Sequence, residues 1–257
     1  MNAAYGEKRF WEIDFLRGLA IIMMILFHVR YDLNYFGEYP ITLHSGFWFC
    51  FARATATIFI LLVGISLTLS YSRVKKLPKS EVYVNYLKRG LKIFSWGLLI
   101  TVTTGIFFRT GMVVFGVLHL IGTSIILAYP FLKLRSWNLV MGVVFIALGM
   151  QLKSYTVGFP WFVWLGLVPD QFYTLDYFPL FPWFGVVLMG VFAGNLLYPD
   201  YKRRFNLLDL SNSPFVRLFC LLGRHSLRIY LIHQPLLLVV LYLLGIVDAG
   251  FFVVYTV

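Results

Sequence analysis

A bilayer's hydrocarbon core is about 30 Å thick, and a helix of about 20 apolar residues crosses it. Runs of that kind recur along this chain of 257 residues, at about 13–34, 47–71, 86–107, 112–132, 137–152, 178–198 and 225–245. In lipid, backbone polar groups must be satisfied within the spanning structure, and runs this long do so as helices. A further apolar patch at 157–168 (VGFPWFVWLGLV) suits an interfacial or re-entrant piece, so the count is seven or eight. The stretches 215–222 and 250–257 are too short to cross alone. The expected fold is all-α, a polytopic membrane helical bundle of about seven transmembrane helices forming one domain over residues 1–257.

Composition agrees. The chain is 60% apolar and 13% charged, with mean hydropathy +0.80, whereas soluble domains run about 45–50% and about 25%. A net charge of +11 in a soluble protein would point to nucleic acid, but here the basic residues crowd into alternate loops. Eighteen of the 22 fall on one face, and only Arg30, Arg53, Arg109 and Lys153 fall on the other. The positive-inside rule then predicts a multi-pass protein of the cell membrane with a cytoplasmic N-terminus. The basic face also suits a polyanionic cosubstrate or anionic lipid. The bilayer is the expected partner, nucleic acid is not, and a homodimer is one assembly open to such a bundle.

Cys50 and Cys220 fall on opposite sides of the membrane in this topology, which argues against a disulfide. No Cys/His spacing suggests a zinc or haem site, and no metal is expected. The first apolar run is interrupted by charges and lacks a small-residue cleavage site, so no cleavable signal peptide is expected. Trp161, Trp164 and Trp183 lie near span ends, where interfacial anchors are expected.

The first span breaks the apolar rule in an ordered way. In WEIDFLRGLAIIMMILFHVRYD, with Asp14 at 0°, Arg17 falls near −60°, His28 near −40° and Asp32 near 0° at about 100° per residue. Arg17 and His28 are roughly 16 Å apart along the axis. Such a stripe needs protein partners or a water-filled site to face. The plain alternative is that Arg17 snorkels, Asp14 caps the helix and His28 packs against a neighbour.

Other spans carry polar groups too. The loop before span two holds His44, and span two holds Arg53, which would need an acidic partner or an anion if buried. His119 sits between glycines in GVLHLIG; a packed structural histidine is as good a reading as a functional one. Asp176 precedes span six, where it can cap the helix or sit at the outer level of His28 and His44. In span seven, Ser226, Tyr230, His233 and Leu237 share a face, with Arg224 and Arg228 on another.

Arg17 and His28, with ten residues between them in LRGLAIIMMILFH, resemble the Arg-x10-His signature of acyltransferase-3-type membrane acyltransferases. The larger set is IDFLRGLAIIMMILFH, GVLHLIG, DYFPLFPWFG and GRHSLRIYLIHQPLL. It more closely resembles the heparan-α-glucosaminide N-acetyltransferase catalytic-domain family, over nearly the whole chain. That resemblance implies transfer of an acetyl group from cytosolic acetyl-CoA to the amine of a glucosamine-like sugar across the membrane. The family's proposed catalytic histidine lies in the first non-cytoplasmic loop, a location matched by His44. The acyltransferase-3 group uses the histidine matched by His28, a position the closer family often fills with asparagine. Both histidines therefore remain candidates.

Acyl transfer needs a base, or an imidazole that is acylated first, and histidine can do either. The expected activity is transfer of an acetyl or short acyl group to an amino or hydroxyl group of a sugar or glycan on the outer side. Catalytic candidates are His28, His44 and Asp176. Arg17, Arg89, Lys92, Arg224 and Arg228 are candidates for the coenzyme A phosphates. Asp14, Asp32, Arg53, His119, Tyr230 and His233 complete the polar set, as substrate contacts or structure. The rival expectation is a proton-coupled transporter or flippase of a small solute or lipid-linked sugar. A transporter predicts inverted repeats or paired broken spans, and neither is visible in the sequence.

Overall fold

A computed structural model of the protein describes residues 9–36, 45–107 and 111–247. His44, Arg109 and the 250–257 stretch lie outside the described residues. The described chain is helical: α1 (Trp11–Phe36), α2 (Gly46–Val74), α3 (Lys79–Phe107), α4 (Val117–Phe131), α5 (Trp137–Leu152), α6 (Leu180–Leu197), α7 (Pro214–Arg224) and α8 (Ser226–Leu243). A short 3-10 turn spans Pro199–Tyr201. Among the described residues no strand forms; isolated bridges pair Phe115 with Tyr177 and Thr156 with Val168.

Among the described residues, α2, α3, α6 and α8 are long and apolar enough to cross a membrane. This is a helical membrane protein. Helix α1 has 26 residues but carries the charged stripe. Helices α4 and α5 are apolar but have 15 and 16 residues, about 22–24 Å at 1.5 Å each. The fourth apolar run is helical only from Val117 because Gly116 is extended (φ −85°, ψ −175°). Residues 111–115 are instead tied to the end of α3, where Val113 N–H donates to Thr104 Oγ1 at 3.0 Å. The 157–168 patch forms turns rather than a helix, and Leu180 N–H donates to Trp164 O at 2.8 Å. That contact covers the start of α6, so Trp183 is buried against Phe178 (5.0 Å between centroids) and is no interfacial anchor. Trp161 and Trp164 are exposed as expected.

The chain divides into two compact parts. One holds α1, the start of α2 up to Phe59, α7 and α8. Within it α1 and α7 touch backbone to backbone. A Cβ on Gly18 would lie 2.0 Å from Phe219 O, and one on Gly223 would lie 1.8 Å from Asp14 O. Small residues permit this approach. The seam closes with Phe15 stacked on Phe219 at 5.0 Å and Cys220 Sγ donating to Trp11 O at 3.3 Å. Helix α7 begins with Pro214 at a position where a missing N–H costs nothing.

The other part holds the rest of α2 with α3 to α6. Helices α2 and α6 meet at Gly64 and Gly190, where Thr68 Oγ1 donates to Val191 O at 3.2 Å. Helices α5 and α6 meet around Phe145, Phe181 and Phe184. At the end of α2, Lys75 pairs with Asp200, and Arg73 donates to Tyr201 and covers its ring.

Candidate active site

Polar side chains gather at both ends of α1. At its N-terminal end, Asp14 is 2% exposed. Its Oδ1 accepts from Arg9 Nη2 at 3.0 Å and from Arg17 Nη1 at 3.3 Å, and its Oδ2 accepts from Arg224 Nε at 3.3 Å. Local geometry explains the assembly. Asp14 and Arg17 are three apart on one helix and so share a face. Arg224 arrives because its neighbour Gly223 lies directly on the Asp14 carbonyl. Three guanidiniums surround one carboxylate; even with the buried Glu12 of the same turn counted, the cluster is net cationic. That suits phosphate oxygens, which guanidinium forks bind strongly. Burial, with the Asp14 charge adding to it, pushes the nearby Cys220 thiol up from 9.0.

At the C-terminal end of α1, His28 and Asp32 face α8. His28 Nδ1 lies 2.8 Å from Met24 O, and the ring meets that of His233 edge to face, centroids 4.7 Å apart. Asp32, 1% exposed, accepts from Gln234 Nε2 at 2.8 Å through Oδ1. His233, 7% exposed, places Nδ1 2.6 Å from Tyr230 O, and its ring lies 5.5 Å from that of Tyr230. A carbonyl oxygen only accepts, so in both histidines Nδ1 carries the proton. In the neutral rings Nε2 is then the basic atom.

His28 and Asp32 on one predicted stripe, and Tyr230 and His233 on another, are thus brought together. Gln234 joins them unforeseen. It lies four residues after Tyr230, so helical spacing could have found it, but a search for ionisable groups passes over a neutral amide.

The remaining candidates stand elsewhere. Arg228 is exposed on α8, and among the described residues no ion pair ties it to Asp14. Arg53 is exposed rather than buried, its guanidinium 5.3 Å from the Phe49 ring centroid. Arg89 and Lys92 are exposed on α3, in the other compact part.

In that part, His119 and Asp176 serve the N-terminus of α4. Gly116 N–H donates to His119 Nδ1 at 3.2 Å, and Val117 N–H donates to Asp176 Oδ2 at 3.0 Å. Free N–H groups at a helix start need such acceptors. Asp176 therefore caps α4, not α6, the helix it precedes. His119 Nε2 lies 3.4 Å from Thr101 Oγ1, and the ring fills the space over Gly97 between Phe94 and Phe115. Nearby, Tyr177 donates to Val163 O at 2.8 Å, and burial pushes its hydroxyl up to about 12. Among the described residues no group of His, Cys, Asp and Glu is placed to hold a metal.

A helical membrane protein with an arginine–carboxylate cluster at one end of a helix and a histidine pair at the other has the parts of a membrane-bound group-transfer protein. The chain belongs to the family described as heparan-alpha-glucosaminide N-acetyltransferase, catalytic, whose model matches residues 9–235. The matched range runs from Arg9 to just past Gln234 and so takes in both ends of the site. Neither the curated proteins nor the solved structures contain a match to the chain.

Proposed function

We propose that the chain moves an acetyl or short acyl group from cytosolic acetyl-CoA, or another acyl-CoA, to an amino or hydroxyl group of a sugar or glycan on the outer side of the membrane. In this reading residues 1–257 form one catalytic domain, with α1, α4 and α5 as further crossings and the N-terminus in the cytosol. The observation that carries it is the histidine pair on α1 and α8, with His28 Nδ1 tied to Met24 O and Nε2 left as a base. Family membership supports the reaction class. The cationic cluster around Asp14 supports a phosphate-bearing donor.

The acceptor nitrogen or oxygen attacks the thioester carbonyl carbon while an imidazole takes its proton. The tetrahedral intermediate collapses, the C–S bond breaks, and the imidazolium returns a proton to the departing thiolate. His28 and His44 are the two candidates for that base. Arg17 and Arg224, with Arg9, hold donor phosphates, and Arg228 is a further contact. Asp176 enters as the group that fixes the start of α4.

Purified protein incubated with radiolabelled acetyl-CoA and a panel of amino sugars tests the reading, beside His28→Ala and His44→Ala. Labelled product that disappears in His28→Ala is the expected result. Loss in His44→Ala alone moves the base to that loop. Absence of both turnover and acetyl-CoA binding removes the enzyme reading in favour of proton-coupled transport.

A further inference from the structure

Where the C-terminal part of α1 faces α8, three buried polar atoms have no hydrogen-bond partner among the described residues: His233 Nε2, Asp32 Oδ2 and Gln234 Oε1. Their chemical roles are fixed by the bonds their neighbours make. His233 Nδ1 gives its proton to Tyr230 O, so Nε2 is a lone pair. Gln234 gives an amide N–H to Asp32 Oδ1, so its remaining Oε1 accepts. Turning the amide over would set Oε1 against the carboxylate, which electrostatics disfavours. The second oxygen of the Asp32 carboxylate also accepts. All three orphans are therefore acceptors, and buried acceptors of this kind are unusual unless something donates to them.

They belong to one place. His233 and Gln234 are consecutive, Gln234 holds Asp32, and His233 lies against His28, one turn before Asp32. We infer that Asp32, His233 and Gln234 form a binding subsite that accepts hydrogen bonds from a ligand rich in N–H or O–H donors. On the acyltransferase reading, on which this inference rests, that ligand is the acyl acceptor.

The subsite selects against phosphates and carboxylates, whose lone pairs would face its own. An ammonium group, which brings N–H donors and a charge opposite to the Asp32 carboxylate, matches this acceptor set in chemistry; sugar hydroxyls supply the same donors without the charge. The donor's phosphates belong at the opposite end of α1, some 18 residues or about 27 Å away. Asp32 and Gln234 thus act by holding the acceptor, and His233 holds it and borders His28.

Direct binding to the purified full-length protein, without turnover, tests this with three probes: glucosamine, glucose and glucuronate. Asp32→Asn is the discriminating variant. Asparagine can still accept from Gln234 while turning an N–H into the subsite, which reverses its polarity with little change of shape. Glucosamine binding is expected to weaken about tenfold or more, glucuronate binding to strengthen, and acetyl-CoA binding in the same sample to stay unchanged. Gln234→Met, which removes Oε1 together with the amide N–H to Asp32 at similar volume, should weaken glucosamine without strengthening glucuronate.

Tighter binding of glucosamine than of glucose assigns the donors to an ammonium, and equal binding assigns them to hydroxyls. A wild-type preference for glucuronate, or glucosamine binding unmoved in both variants, overturns the subsite. So does a protein that binds acetyl-CoA but no sugar, which leaves the acyltransferase reading standing. If acetyl-CoA also fails to bind, that reading falls, and the subsite's assignment to an acyl acceptor falls with it.

Discussion

The rings of His28 and His233 meet at 81°, and each donates its Nδ1 proton to a carbonyl of its own helix, Met24 in one case and Tyr230 in the other. Two imidazoles that both keep Nε2 for an incoming group are not redundant if one takes a proton and the other holds the ligand. His28→Ala is expected to lower kcat about 10²–10⁴-fold, the usual contribution of a positioned base. His233→Ala should act mainly on the KM of the acceptor. Steady-state kinetics on both variants decide the matter, and equal losses of kcat would contradict the division of labour.

The seam between α1 and α7 has no room for a methyl group. Gly223→Ala puts a Cβ 1.8 Å from the Asp14 carbonyl oxygen. The helices must separate, at about 1–3 kcal/mol for an overpacked contact, and Arg224 moves away from Asp14. Thermal unfolding in detergent should fall accordingly, and the KM for acetyl-CoA should rise with it. An alanine variant as stable as the parent would show that the helices part freely.

His119 is expected to be structural. Its Nδ1 takes the Gly116 N–H and its ring lies over Gly97. His119→Ala leaves a buried N–H at the start of α4 unsatisfied, which costs about 1–3 kcal/mol. A lower unfolding temperature with unchanged KM values is the expected result. A loss of kcat without loss of stability would move His119 into the reaction.

Acid should loosen the contact between Lys75 and Asp200. The Lys75 hydrogen bond and charge hold the Asp200 carboxyl below its ordinary 3.8, with Arg135 and Lys202 adding to the effect. The folded value is thus lower than the unfolded one. The stabilisation is present above about pH 3.8 and is lost as pH falls through the lower folded value. Both groups are at the surface, so salt should screen the effect. Melting curves of the parent and Asp200→Asn should differ at pH 6, converge below about pH 3.8, and differ less in high salt.

The two cysteines should separate by reagent. Cys50 is exposed, whereas Cys220 is buried beside Asp14 and its thiol is pushed up. A maleimide at pH 8 is expected to label Cys50 alone, and a second label should appear only on unfolding. Mass spectrometry of the labelled peptides reads the result.

The stripe on α1 was legible because it lies on one helix: four ionisable residues and a repeat of 3.6 place Asp14, Arg17, His28 and Asp32 on one face. Which helix that face would meet is a property of packing, and no local rule says that α8 brings His233 to His28. Gln234 escaped because an uncharged amide does not stand out by charge, although in an apolar run it needs a partner as much as a histidine does. The start of α4 was misplaced for a similar reason. Residues 112–116 are as apolar as a helix in lipid, and it is hydrogen bonds made across turns and loops, from Thr101, Thr104, Thr174 and Phe178, that favour the extended form. Asp176 was read as the cap of the helix it precedes, yet its carboxylate reaches a helix 59 residues back.

The glycine seam also constrains motion. With Gly18 under Phe219 and Gly223 on Asp14, bulkier neighbours on both helices bar α7 from sliding along α1. The next register that would re-seat the glycines is a full turn away, about 5.4 Å. Helices α1 and α7 therefore travel as one rod, and any tilt that shifts His28 carries Arg224 with it. A spectroscopic probe on the exposed side of α7, at Leu218 for example, would register events at the far end of α1 without touching either cluster.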